Sequence, residues 1–165
     1  MSESRLHSDP RGFRQLDVWQ LGRELVKVVY GLSSDFPKSE EYGLRLQIRR
    51  AIISVPSNIA EGWGRNSQGY FINALKTARG SLHEVDSQLV AAVDLQYCTD
   101  AQAETVFELV SVLSRKLHNL IDRMEQNYVR EERVAYGSAA PDQPFPPIQS
   151  LQPFLAEDEN LTPTH

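Results

Sequence analysis

The side chains best able to do acid–base or nucleophilic chemistry are few in this chain of 165 residues: four histidines (His7, His83, His118, His165) and one cysteine, Cys98. The histidines form no H-E-x-x-H and no Glu-x-x-His pair of the kind that holds two irons in a bundle, and no glycine-rich phosphate loop is present. No metal or cofactor is therefore expected. Cys98 lacks a second cysteine for a disulfide or a thiolate site, and reads as a reduced, mostly buried thiol. Two arginine–histidine spacings remain, R-G-S-L-H from Arg79 to His83 and R-K-L-H from Arg115 to His118. An arginine can steady a phosphate's charge while a histidine takes a proton, and Asp86 stands where it could orient His83.

The second chemical feature is charge. The net charge of −5 lies wholly in residues 131–165, where Glu131, Glu132, Asp142, Glu157, Asp158 and Glu159 face Arg133 alone. The rest of the chain balances, and within it residues 39–80 carry Arg45, Arg49, Arg50, Arg65, Lys76 and Arg79 against Glu40, Glu41 and Glu61. These six cations are the candidate nucleic-acid contacts, although a local excess of this size is also what a solvated helix face carries. The N-terminus has no apolar core of a signal peptide and no stretch is long and apolar enough to span a bilayer, which predicts a cytoplasmic protein without a membrane partner.

The elements that position these groups follow from apolar spacing. Val18, Leu21, Leu25, Val28, Val29 and Leu32 recur at steps of three and four, predicting an amphipathic helix over 15–33 that stops before S-S-D-F-P. Ser39 is placed to cap a second helix with Glu40 and Glu41 in its first turn. Ser67 can cap a third, whose stripe runs Phe71, Leu75, Ala78, Leu82, Val85, Leu89, Ala92/Val93, Gln96. Asp100 can cap a fourth, over 101–129, with Val106, Val110, Leu113, Leu117, Leu120 and Met124 in line and Phe107 and Ile121 widening the stripe. No segment alternates with a period of two beside a hairpin turn. The fold class is all-α: an antiparallel up-down four-helix bundle over residues 13–130, after a flexible N-terminus (1–12) and before an acidic, proline-rich tail (131–165) expected to be disordered.

The second helix carries a proline in A-I-I-S-V-P-S-N-I-A-E-G-W-G-R (51–65). Leu44, Ile48, Ala51, Ile52, Val55 and Ile59 share one sector on a helical projection, so the apolar phase passes straight through Pro56. That predicts a kinked but unbroken helix ending at Gly62 as a left-handed cap, with Ser54, Ser57 or a neighbouring side chain serving the Ile52 carbonyl, at a cost of roughly 3 kcal/mol for the proline. Leu46, Ile53 and Ala60, spaced by seven, form a second apolar line on the opposite side, and with Pro56 they are the candidate subunit interface. Two polar strips separate the apolar faces: Gln47, Arg50, Ser54, Ser57, Asn58 and Glu61 on one, Arg45, Arg49 and the proline on the other.

The block F-P-K-S-E-E-Y-G-L-R-L-Q-I-R-R-A-I-I-S-V-P-S-N-I-A-E-G-W-G-R (36–65), followed by F-I-N-A-L-K-T-A-R-G-S-L-H-E (71–84) and preceded by L-D-V-W-Q-L (16–21), closely resembles the family of proteins encoded in intervening sequences of bacterial 23S ribosomal RNA genes. The match spans roughly residues 13–126. The resemblance implies a bacterial cytoplasmic four-helix bundle that assembles as a ring-like homopentamer and has no established enzymatic activity. Some relatives are accessory proteins of diversity-generating retroelements, whose basic surface is thought to engage nucleic acid and a reverse transcriptase. On that implication the RNA-binding positions here are Arg45, Arg49, Arg50, Arg65, Lys76 and Arg79, although this chain departs from the accessory proteins in being acidic overall. The expected function is thus an oligomeric, non-enzymatic bundle that binds RNA or acts as a scaffold. The alternatives are a purely structural oligomer with a protein partner and a helical-bundle ribonuclease. Some such ribonucleases carry an arginine and a histidine with four to six residues between them, whereas only three and two intervene here.

Overall fold

The computed structural model describes residues 12–137. Among them are four α-helices, α1 (Asp17–Ser34), α2 (Leu44–Gly64), α3 (Gln68–Asp94) and α4 (Asp100–Gly137), two short 3-10 turns (Phe13–Gln15 and Lys38–Glu40) and no strand. Contacts run α1 to α2, α2 to α3, α3 to α4 and α4 back to α1, so the helices occupy the corners of a square with α2 diagonal to α4. The short connections make each neighbour antiparallel, giving the up-down four-helix bundle that the periodicities imply. The N-terminal segment before Gly12 and the tail beyond Gly137 lie outside the described residues.

The apolar stripes meet on the bundle axis. Leu25, Val29, Ile48, Ile52, Val55, Ile59, Phe71, Leu75, Leu82, Val85, Leu89, Leu113 and Leu117 are fully buried, and Val106, Val110, Leu120, Ile121 and Met124 complete the α4 side. At roughly 1.5–3 kcal/mol for each fully buried large aliphatic side chain, this core is the main source of stability. Leu21, Val28 and Leu32 of the α1 stripe are only half-buried, and two small residues, Gly22 and Ser33, take buried positions beside Val18, Leu25 and Val29. Cys98 is buried and unpaired, and its burial pushes the thiol up, away from the reactive thiolate.

The helix ends differ from the sequence expectation in ways that trace to individual groups. Ser39 does not cap α2. Residues 38–40 instead form a 3-10 turn, and the Glu40 carboxylate accepts a hydrogen bond from the Leu44 amide at 2.8 Å. Gly43 makes this possible, because a Cβ there would overlap the Glu40 carboxylate oxygen. The other carboxylate oxygen of Glu40 accepts from the Tyr97 hydroxyl at 3.0 Å, tying the start of α2 to the α3–α4 connection. Asp100 is the first residue of α4 rather than its cap. Thr99 takes that role in a reciprocal box: the Gln102 amide donates to the Thr99 hydroxyl, and the Thr99 amide donates to the Gln102 side chain. Gln96, placed in the α3 stripe by spacing, is exposed and lies beyond the helix at φ 57. Residues 131–137, assigned by composition to the tail, continue α4, since E-E-R-V-A-Y contains no breaker and the next proline is Pro141.

Pro56 sits inside an unbroken α2, as the continuous apolar phase requires. The Ser57 hydroxyl donates to the Ile53 carbonyl at 2.8 Å rather than to that of Ile52, and the Asn58 amide donates to the Ser54 carbonyl at 2.7 Å. Helical conformation runs through Gly62 to Gly64, and the left-handed residue is Asn66 at φ 49. Gly62 therefore serves another purpose. It is buried against α3, where a Cβ would overlap that of Ala74 and lie 3.2 Å from the Phe71 ring. The absent side chain sets how closely α2 and α3 approach.

Gly62→Ala is expected to destabilise the bundle by about 1–3 kcal/mol through overpacking. Gly80→Ala, in the exposed middle of α3 where an added Cβ meets nothing within 4 Å, should stabilise it by up to about 1 kcal/mol. Thermal denaturation followed by circular dichroism reads both, with shifts of opposite sign.

Candidate functional site

The two polar strips of α2 lie against different neighbours. On the α3 side the Ser54 hydroxyl meets that of Ser81 at 2.9 Å, and the Asn58 amide donates to the Ser54 hydroxyl at 2.8 Å. On the α1 side, a Cβ on Gly22 would sit 3.6 Å from the Pro56 ring. Pro56, grouped from sequence with the interface residues, is thus part of the α1–α2 packing and half-buried.

Arg45 and Arg49 occupy the same α1-facing strip and reach the C-terminal end of α1. Arg45 donates from one terminal nitrogen to the Phe36 carbonyl and, at 3.4 and 3.5 Å, to those of Ser34 and Pro37. Arg49 donates from Nε to the Ser33 hydroxyl at 2.8 Å and from Nη2 to the Tyr30 carbonyl at 3.3 Å, with its guanidinium 4.6 Å from the centre of the Tyr30 ring. Ser33 is fully buried, and its hydroxyl, which donates back to the Tyr30 carbonyl, depends on Arg49 for its second partner. The physical reason is general: the last carbonyls of a helix lack intrahelical donors and carry partial negative charge, so guanidinium groups from a neighbouring helix stabilise them. The Arg45 Nε is buried without an acceptor, which offsets part of that gain.

The six candidate nucleic-acid residues therefore do not form one patch. Arg45 and Arg49 lie at the α1–α2 groove. Lys76 pairs with Glu125 at 2.5 Å, and Arg79 reaches the His118 Nδ1 at 3.3 Å, both across the α3–α4 groove on the opposite side of the square. Arg65, at the far end of α2, pairs with Glu61 at 2.7 Å and stacks 5.5 Å from the Tyr70 ring. Its charge is held further by that hydrogen bond, which raises its pKa. Arg50 alone among the six is exposed with no partner among the described residues. Arg79 turns towards α4 rather than His83. His118 in turn reaches Asp122 through Nε2 at 3.2 Å, so the arginine–histidine contact is a cross-helix one that neither sequence spacing contained.

The outward face of α2 remains. Leu46 is 37% exposed and Ile53 44% exposed, with Ala60 partly covered, in a line on the side of α2 away from its core stripe, bordered by Arg50 and Ser57. A second surface, not anticipated from sequence, is a cleft of about 510 Å³ between the start of α1 and α4, lined by Arg14, Trp19, Arg23 and Lys116 among others. Its cations are engaged: Lys116 pairs with Asp17 at 3.1 Å and Arg23 lies over Trp19. The signal that could have found it is the cluster of charged residues around Trp19 on the polar side of α1. Among the described residues no three His, Cys, Asp or Glu side chains stand close enough to hold a metal ion, and no helix is long and apolar enough to cross a membrane.

The sequence profile of the 23S rRNA-intervening sequence protein family matches residues 14–119, more than half of the chain. The crystal structure of a protein of unknown function from the S23 ribosomal protein family of Bacteroides thetaiotaomicron superposes with a TM-score of 0.59 at 24% identity, covering 64% of this chain and 95% of that one. At that identity the likeness concerns the fold. No curated protein matches the chain.

Arg49→Ala should cost about 1–2 kcal/mol of stability, since it leaves the buried Ser33 hydroxyl and an α1 carbonyl short of a donor, while Arg50→Ala should stay within about 0.5 kcal/mol of the parent; urea denaturation of the two variants distinguishes them. Tyr97 supplies a pH test. Its hydrogen bond to Glu40 pushes the phenol's pKa above the ordinary tyrosine value. The stabilisation linked to this shift is complete below the ordinary tyrosine pKa and is lost as pH rises through the raised one. Ultraviolet titration should show a late phenolate component that Tyr97→Phe removes.

Proposed function

The chain belongs to the 23S rRNA-intervening sequence protein family, and we propose that it is a non-enzymatic assembly module whose copies associate through the outward face of α2. The observation that carries this reading is the line Leu46–Ile53–Ala60, the apolar part of α2 that its core stripe does not use. One side of α2 is core, one strip is bonded to α1 and the other to α3. Two exposed large aliphatic side chains in line with a small one on a rigid helix are a contact surface in search of a complement. An oligomer that joins this face to a different patch on the next copy closes into a ring when the rotation per copy permits, which fits the pentameric arrangement that the family resemblance implies.

RNA binding takes second place to assembly in this proposal because five of the six candidate cations already hold internal partners. Freeing Arg45 or Arg49 for phosphate would expose the end of α1 and the buried Ser33 hydroxyl. Backbone binding grows with the number of phosphates neutralised, and one free arginine per copy is a weak electrostatic footprint. Repetition of Arg50 around an assembly is the route by which this surface would acquire one.

Light scattering on the full chain should give a mass that is a multiple of 18.7 kDa, and Ile53→Glu should shift it towards that of a single copy without lowering the melting temperature. A single-copy mass at every concentration overturns the proposal. A salt-sensitive gel shift with structured RNA that survives Ile53→Glu but not Arg50→Glu would move the function from assembly to nucleic-acid binding.

A further inference from the structure

The outward line of α2 is one of two interleaved rows. Leu46, Ile53 and Ala60 advance by seven residues, and Arg50, Ser57 and Gly64 advance by seven between them, so the six alternate at steps of four and three. At about 100° per residue they fall within a sector of about 80° opposite the core stripe, in a seam about 27 Å long. That spacing lays a continuous edge against a second helix. All are exposed except Ala60, which is half-buried. Their sizes are graded along the seam: Leu46, Arg50 and Ile53 make its N-terminal half large, and Ser57, Ala60 and Gly64 make its C-terminal half small. The Ser57 hydroxyl turns back to the Ile53 carbonyl of its own helix, which flattens the surface there. A Cβ on Gly64 would meet nothing within 4 Å, so no neighbour among the described residues requires a glycine, the less favourable choice in a helix, at that position.

A second copy of α2 running antiparallel is the complement of this seam. A two-fold axis at the level of Val55 sets Leu46 of one copy on Gly64 of the other, Arg50 on Ala60 and Ile53 on Ser57. Each large side chain then meets a small one, and every contact occurs twice. Charge agrees with the fit. Glu61 flanks the seam on the same side as Arg50, and the antiparallel pair brings the two to one level across the copies. Arg50 is exposed with no partner among the described residues. Glu61 is exposed too and meets Arg65 through Oε1 alone, which leaves Oε2 to accept from a second guanidinium. Within one copy Arg50 and Glu61 stand about 16 Å apart along α2 and do not meet. A parallel pair fails on both counts, because it stacks Arg50 on Arg50 and sets the small half against itself, unfilled.

We infer that α2 of one copy pairs antiparallel with α2 of a second copy along the seam from Leu46 to Gly64, with an ion pair from Arg50 to the other copy's Glu61 at each end. The inference rests on the assembly reading above and deepens it, since α2 itself takes the place of a different patch on the next copy. Such a contact is isologous and complete at two copies, so a larger ring needs a second surface of the chain. A single helix seam is a small interface, which makes the pair weak and concentration-dependent.

A charge swap read by sedimentation velocity of the full chain over a concentration series tests the pairing. Arg50→Glu and Glu61→Arg should each weaken association about tenfold, and the double variant Arg50→Glu/Glu61→Arg should return to within about threefold of the parent, because the reversed pair re-forms only between copies. Gly64→Leu should weaken association without lowering the thermal melt, since the added side chain collides only with Leu46 of the other copy. If the double variant is no stronger than the single ones, or Gly64→Leu associates like the parent, while Ile53→Glu still abolishes association, the antiparallel pairing is overturned and assembly through α2 stands. A parent that grows beyond two copies and falls to single copies with Ile53→Glu joins α2 to a different patch, which overturns the pairing too. A parent that stays a single copy at every concentration removes the assembly reading and the pairing together.

Discussion

The carbonyls at the C-terminal end of α1 are served by guanidinium groups of α2, and the placement of everything else on α2 depends on that interaction. Arg45 covers the Ser34 carbonyl and that of Phe36 just beyond the helix, and Arg49 joins the Ser33 hydroxyl to the Tyr30 carbonyl. Because the two arginines are one turn apart, they fix the rotation of α2 about its own axis as well as its distance from α1. With that rotation set, Ile48, Ile52, Val55 and Ile59 point into the core, Ser54 turns towards α3, and Leu46 and Ile53 stay exposed. The same interaction removes two cations from the surface. One set of contacts thus weakens the case for a nucleic-acid patch and strengthens the case for an apolar docking line.

Close approach on the other flank completes the constraint. Gly62 lets α2 lie against Ala74 and Phe71, and Trp63 packs edge-on to Phe71 with ring centres 5.6 Å apart. Between this contact and the Ser54–Ser81 hydrogen bond, α2 is held along its length by small residues and short polar links. Pro56 is compatible with such a helix because its ring packs on Gly22 and the Ser57 hydroxyl supplies a donor to the adjacent Ile53 carbonyl. A helix held on three sides is rigid, and rigidity favours its fourth side as a binding surface because little conformational entropy is lost there on association.

The four apolar stripes were legible in the sequence because burial against a common axis imposes their period, and Pro56 did not hide the α2 stripe since the phase continued beyond it. Helix ends were less legible. The Leu44 amide is served by Glu40 only because Gly43 leaves room for the carboxylate, a matter of three-dimensional fit that no capping preference encodes. Gly62 read as a helix terminator because a glycine ahead of a polar turn usually is one; its real partner is Ala74, twelve residues away on another helix. The internal partners of the arginines were hidden for a related reason. Charge counting cannot see that an acceptor is a helix terminus, since backbone carbonyls occur everywhere in a sequence. The usable signal was positional: Arg45, Arg49 and Pro56 share one strip of α2, and a strip adjoining a neighbouring helix end spends its donors there.

Side-chain footprinting with photogenerated carbenes, run on the full chain from nanomolar to high-micromolar concentration, tests the central claim that the outward face of α2 is an assembly surface most directly. The account predicts that labelling at Leu46 and Ile53 falls as concentration rises, while Val90 and Leu95, exposed on α3 and just beyond its end, remain labelled throughout. Equal labelling of Leu46 and Ile53 at all concentrations, in step with Val90 and Leu95, would contradict it.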